Sequence, residues 1–212
     1  MTLRHLIWDW NGTLLDDLDL CLEIINGMLK ERELAAITRE SYLEVFDFPV
    51  KNYYQKLGFD FSLEPFESVS DQFIQAYERG RPECQLMDGS REILAALSSR
   101  GISQSILSAS RRVYLTKAVQ EYGIESHFNS IEGLEDHHAA GKLALAQAFL
   151  ESCPLDPAHM LLVGDTTHDA SIARALGVDC ILIPNGHHSR ERLQGTGFQV
   201  VSSLADLQEL IG

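Results

Sequence analysis

Short, almost unbroken apolar runs punctuate the chain: HLIW (5–8), SQSILS (103–108), MLLVG (160–164), CILIP (180–184) and FQVV (198–201). Each is too short for a helix of its own and too uniformly apolar for a strand with one wet face. Each therefore predicts a strand covered on both sides. Amphipathic stretches with helical spacing alternate with them at 88–99, 111–122, 139–151, 168–176 and 203–211. Strands alternating with helices of this length predict βαβ units, hence an α/β fold with a Rossmann-like parallel sheet core and helices on both faces.

Residues 15–81 break that rhythm, and no strand is expected among them. DLDLCLEIINGMLKERE (17–33) sets Leu18, Cys21, Leu22, Ile25 and Leu29 on one helical stripe. Thr38 is placed to cap a short helix carrying Tyr42, Leu43 and Phe46, and Pro49 and Pro65 stand where first-turn prolines open helices near 49–57 and 65–79. We read 15–81 as an inserted helical cap domain and 1–14 with 82–212 as the Rossmann-like core, GRPECQLMDGS (80–90) bringing the chain back. There are no internal repeats and no low-complexity tract.

At 212 residues, 45% hydrophobic and 23% charged, the chain can bury one sizeable core with a smaller appended domain. Its formal charge of -14 sets 17 basic against 31 acidic residues, a balance that repels nucleic acid and anionic membranes. A small anion is still admissible, because a metal ion and a few aimed donors reverse the field locally. Cys21, Cys84, Cys153 and Cys180 show neither a CxxC pair nor zinc-finger spacing and read as thiols of a reduced compartment. No apolar run approaches the ~20 residues that span a bilayer, and MTLRHLIWDWNG lacks the features of a signal peptide. The expectation is a cytoplasmic monomer or homodimer.

Open parallel sheets bind ligands beyond the carboxyl ends of their strands. Strand one ends at Asp9, the second apolar run at Ser108 in ILSAS, and MLLVG at Asp165 in GDTTHD, with Asp169 four residues on at a helix start. Lys142, in AAGKLALAQ, sits at or near another helix start. Taken singly, these are ordinary turn formers, helix caps and a solvated lysine. Three carboxylates, a hydroxyl and a lysine gathered from four segments at one edge instead suit a phosphate-and-metal site.

The motifs DWNGT, ILSAS, Lys142 and GDTTHD, in that order, resemble the haloacid dehalogenase superfamily, whose members mostly hydrolyse phosphate monoesters with Mg²⁺. The insertion resembles that family's helical cap. The tail PNGHHSRERLQGTGFQVVSSLADLQELI is similar to the phosphoglycolate phosphatase-like branch. The resemblance implies that Asp9 attacks phosphorus to form an aspartyl-phosphate, splitting one hard displacement into two easier ones. It implies that Ser108 and Lys142 bind the phosphate and that Lys142 shields the nucleophile's charge from it. Mg²⁺ would lie on Asp9, Asp165 and the backbone carbonyl of Asn11, with Asp169 completing the site by orienting a metal-bound water or Lys142. The implied substrate is a small phosphorylated metabolite, selected by cap residues.

One departure stands out. Family phosphatases carry an aspartate two residues after the nucleophile, which protonates the leaving oxygen and then activates water; here that position is Asn11. Loss of a positioned acid–base group typically costs about 10²–10⁴-fold, or about 3–5 kcal/mol of barrier. Four readings stay open. The leaving group needs no proton, as with an acyl phosphate; another group supplies it; the protein binds phosphorylated ligands without turning them over well; or the asparagine was introduced as a trap. Candidate substitutes are His137, His138, His168, His187 and His188, which titrate near neutrality, and Asp16 or Asp17. His137–His138, just before Lys142, is the favoured pair, whereas His187–His188 is expected to be a solvated surface pair. Asp16–Asp17 reads most simply as the N-terminal cap of the first cap helix. A true dehalogenase is disfavoured by Gly164–Asp165 in the fourth motif, and a phosphomutase by the missing aspartate. The absence of GxGxxG leaves nicotinamide binding unsupported.

Overall fold

The structure, a computed structural model, describes residues 3–135 and 141–212. In chain order, β1 (His5–Trp8) and the short β2 (Leu15–Asp16) precede four helices, α1 (Leu18–Glu31), α2 (Arg39–Val45), α3 (Val50–Lys56) and α4 (Phe66–Gly80). β3 (Gln85–Leu86), α5 (Ser90–Ser99), β4 (Ser103–Arg111), α6 (Arg112–Glu121) and β5 (Ser130–Leu134) follow. The last third holds α7 (Lys142–Ser152), β6 (Met160–Gly164), α8 (Thr167–Leu176), β7 (Asp179–Leu182), α9 (Arg190–Gln194), β8 (Gln199–Val200) and α10 (Leu204–Ile211).

Six strands form one parallel sheet in the order β5-β4-β1-β6-β7-β8. Alternate side chains of each strand feed opposite layers, as the pleat requires. Leu6, Trp8, Ile106 and Val163 pack with Ile93 and Leu97 of α5, Leu115 of α6 and Leu204 of α10. Ile7, Leu107, Leu162 and Leu182 pack with Ala146 of α7 and Ile172 of α8 on the other face. This two-sided burial is why the strands read as continuous apolar runs. The chain builds outward from β1 through β4 to β5, then crosses back to place β6 on β1's other side. The resulting switch point puts the ends of β1, β4 and β6 side by side.

The helices of the insertion have an apolar cluster of their own, with Leu18, Ile25, Leu29, Tyr42, Tyr53 and Tyr54 at its centre. Thr38 caps α2 by accepting from the Ser41 N–H, and Arg32 is held by both oxygens of Glu64, each at 2.8 Å. Three expectations need correction. Leu15–Asp16 is a strand, antiparallel to Gln85–Leu86, where the chain leaves and returns; two residues are too few to show a period. The parallel strand β5 was not expected, because Glu132 and Gly133 interrupt its apolar pattern. Pro49 and Pro65 stand one residue ahead of α3 and α4, as N-caps rather than first-turn residues. All the cysteines are free, and no helix among the described residues is long and apolar enough to cross a membrane.

Two buried histidines make stability depend on pH. Burial pulls His5 down to about 4 and His188 to about 3, and His188 Nδ1 accepts the Thr167 N–H at 3.0 Å, which requires a bare nitrogen. Such groups take up a proton on unfolding, so the stability they contribute is complete above the unfolded value near 6.5 and falls as pH drops toward 4 and 3. His5 alone accounts for about 3 kcal/mol at most across that window. Urea unfolding between pH 7 and pH 4 should show a steeper loss for the native chain than for His5→Leu; equal slopes would contradict the assignment.

Candidate active site

Asp9 follows β1 directly, its N–H donating to Val163 O on β6 at 2.9 Å, so sheet pairing fixes where the carboxylate emerges. Lys142, the first residue of α7, is buried and donates to Asp9 Oδ1 at 2.5 Å and Asp169 Oδ1 at 2.7 Å. Burial alone would lower the ammonium's pKa, but Asp169 and Asp9 together raise it, so Lys142 is a fixed cation. The other oxygen of Asp169 closes a capping box at the start of α8, accepting from Thr166 N–H and O–H at 3.1 and 2.6 Å. Burial opposes its charge, yet Lys142 and Thr166 hold its carboxyl below the usual range. Both oxygens of Asp169 thus work within the protein, on Lys142 and the helix start.

Asp165 follows Gly164, the last residue of β6, and is fully buried; its oxygens accept from Thr13 O–H at 3.2 Å and His187 N–H at 2.5 Å. Burial, with Asp9 and Asp169 adding like charge, pushes its carboxyl well above the usual value despite His187 nearby. Burial likewise lifts Asp9 to about 6, Lys142 restraining the rise and Asp169 adding to it. Carboxylate oxygens of Asp9, Asp165 and Asp169 lie within 4.8 Å of one another. Gly12, at φ 72°, has no alternative: a Cβ there would overlap Asp165 Oδ2 and the His187 ring. Ser108 was expected to end its strand, but β4 runs on to Arg111 with a register shift after Leu107; the residue is buried at this edge, its Oγ accepting the Ser110 N–H at 3.1 Å.

Asn11 is held from three directions. Its amide donates to Asp17 Oδ2 and to the Tyr77 hydroxyl, each at 2.6 Å, and its Oδ1 accepts from Ser110 O–H at 2.7 Å. Asp17 stands at the N-cap position of α1, as expected, but its side chain makes no capping bond and is turned to this network, 1% exposed. It accepts from Gly12 N–H at 2.9 Å and Tyr77 O–H at 2.8 Å and pairs with His187 Nε2 at 3.3 Å. Burial would raise its carboxyl, but His187 and these donors bring it below the usual range. His187 is correspondingly lifted to about 9 against its own burial, chiefly by Asp17, and its Nδ1 meets the Tyr42 hydroxyl at 3.0 Å.

The expectation of a solvated His187–His188 pair is thus wrong, since both rings are buried under Phe46. His168 lies tilted against Phe48, with ring centroids 4.8 Å apart, and does not line the cavity above Asp9. His137 and His138 lie outside the described residues. Tyr77 and Ser110 escaped the sequence reading, Tyr42 entered it only as a residue of the short helix after Thr38, and Asp17, offered there as a substitute acid–base group, is instead fixed beside Asn11. For Asp17 the signal available was its place six residues after Asn11; for the tyrosines there was none. A cavity of about 460 Å³ opens above Asp9, Ser108, Lys142 and Asp165, walled on its other side by aromatic residues of the insertion.

The haloacid dehalogenase-like hydrolase family pattern matches residues 6–183. A phosphoglycolate phosphatase of Synechococcus elongatus is 25% identical over 199 residues, covering 90% of this chain and 88% of its own. A 5'-nucleotidase of Pseudomonas aeruginosa is 28% identical over 214 residues, covering 97% and 93%. Among solved structures, that of a predicted phosphatase from Clostridium acetobutylicum matches with a TM-score of 0.83 at 18% identity, covering 100% of this chain and 99% of that one, a likeness of fold. The family pattern spans every segment that brings a charge to this sheet edge except the His187 loop, and the chain belongs to the haloacid dehalogenase-like hydrolases as a member of phosphatase type.

Proposed function

We propose that the protein hydrolyses a small phosphorylated metabolite through an aspartyl-phosphate formed on Asp9. The observation that carries this reading is the Asp9–Lys142–Asp169 chain of bonds at the floor of the cavity, which fixes a carboxylate next to a permanent cation. Asp9 attacks phosphorus, Lys142 and Ser108 hold the equatorial oxygens, and Asp169 keeps Lys142 in place. Water then attacks the same phosphorus, releasing phosphate and freeing Asp9.

The donor set suits Mg²⁺. Asp9, Asp165 and Asp169 present buried hard oxygens within 4.8 Å of one another, and Lys142 alone does not balance them. Asp9 and Asp165 are the residues that would hold the ion, with the Asn11 backbone carbonyl. The full engagement of Asp169 supports a positioning role toward Lys142 rather than direct ligation. The ion, when bound, supplies charge neutralisation for the transferring phosphoryl group.

The engagement of Asn11 favours a second reading, a phosphate-ligand binding protein with weak turnover, since no proton is exchanged at that position. Turnover separates the two. We expect acetyl phosphate and aryl esters to release phosphate with Mg²⁺ and to stop doing so when the metal is chelated. Thermal stabilisation by a phosphorylated ligand with no release of phosphate would establish the binding protein instead.

A further inference from the structure

We propose that the substrate is a small aryl phosphate monoester, its ring seated among the aromatic side chains of the insertion and its phosphate on Asp9 and Lys142. This rests on the phosphatase reading above and names the substrate class for that site.

Three observations carry it. The cavity of about 460 Å³ is walled by Tyr42, Phe46, Tyr53, Tyr54, Phe73 and Tyr77, and a two-carbon hydroxy acid would leave most of it to water. Ring faces and edges arranged in this way select another ring; Phe46 and Tyr53 meet edge-on at 5.2 Å, and Phe73 and Tyr77 are stacked at 6.2 Å. Second, the Asn11 amide hydrogens are committed to Asp17 and Tyr77, so no proton reaches a leaving oxygen from there. A phenol ionises near pH ~10, like a tyrosine, whereas an alkanol oxygen behaves more like water at ~15.7. A phenolate leaves without a proton where an alkoxide does not. Third, Tyr53 is one of the residues lining this cavity, 2% exposed, and its buried hydroxyl has no hydrogen-bond partner among the described residues. A polar substituent on a bound ring would give it one.

The chemistry balances with the groups present. An Asp9 oxygen forms a bond to phosphorus as the phosphorus–aryl oxygen bond breaks, its electron pair departing on the phenolate, which takes a proton from solvent. Water then adds to phosphorus, the Asp9–phosphorus bond breaks, and the carboxylate and inorganic phosphate are recovered.

The test measures kcat and KM of the full chain with Mg²⁺ on phenyl phosphate, naphthyl phosphate, a hydroxynaphthyl phosphate, acetyl phosphate, phosphoglycolate and a phosphotyrosyl peptide. We expect kcat/KM for phenyl phosphate to exceed that for phosphoglycolate by ~10² or more, the span of a missing general acid, and naphthyl phosphate to have the lower KM of the two aryl esters. If acetyl phosphate equals or exceeds the aryl esters in kcat/KM, only the leaving group matters and the aryl assignment falls while the phosphatase stands. Phosphoglycolate in the lead, or the peptide preferred over the free esters, would also overturn it. No phosphate from any compound would defeat the phosphatase reading itself. Tyr53→Phe removes an unpartnered hydroxyl and should fold with an unchanged or higher Tm. It should raise KM severalfold more for the hydroxynaphthyl than for the naphthyl ester; equal shifts would overturn the role given to Tyr53.

Discussion

Asp9→Asn will lower phosphate release by about 10⁴-fold or more, the scale seen when a covalent nucleophile is lost, without unfolding the protein. Asparagine matches aspartate in shape, and Lys142 keeps its second partner, Asp169, at 2.7 Å. The variant also removes one charge from three buried carboxylates, where like charge already helps to push the Asp165 carboxyl above its usual value. Tm should therefore be within a few degrees of the native value or above it. Acid quenching with labelled substrate should trap label on the native chain and none on Asp9→Asn. Turnover above a hundredth of native in that variant would mean that water attacks the phosphate directly, and the covalent route would have to be abandoned.

The second large effect concerns Asn11, where the structure changes the obvious experiment. Restoring an acid by Asn11→Asp alone would place a carboxyl 2.6 Å from Asp17, in a site where Asp17 is held ionised by His187, Gly12 and Tyr77. Two carboxylates so close must share a proton, and the lost amide donor costs about 1–3 kcal/mol. Exchanging the pair, as Asn11→Asp with Asp17→Asn, restores one donor and one acceptor in reversed order. We expect the single variant to lose stability and the exchanged pair to recover most of it. Alkyl ester turnover should rise by ~10² in the exchange, within the usual range for a general acid, while aryl esters change little. Asp17→Asn by itself is the reference, because it also frees His187 from its ion pair. If Asn11→Asp folds as stably as the native chain and gains no alkyl activity, the amide–carboxylate contact is not what sets the chemistry at this position.

What could be read in the sequence is what local chemistry determines. An apolar run buried on both faces announces a strand by itself, and its end marks where a side chain can leave the sheet. Asp9 and Asp165 were legible for that reason, as was Asp169, which carries the capping signal of its own helix, whereas Ser108 was found in an apolar run that continues as strand beyond it. Lys142 was legible through its place at a helix start. β5 and the β2–β3 pair were not legible, since their pairing with β4 and with each other, not their composition, makes them strands.

The network around Asn11 belongs wholly to the tertiary structure. Tyr77 lies 60 positions from Asp17, and Tyr42 lies 145 from His187, and no pattern within one helix predicts such partners. Asp17 and His187 would be ordinary surface groups on isolated segments. Packing the insertion against the sheet edge removes water from both, and a buried charge without a partner is too costly to persist. The sequence determined which groups reach the edge of the sheet; burial decided which of them had to meet.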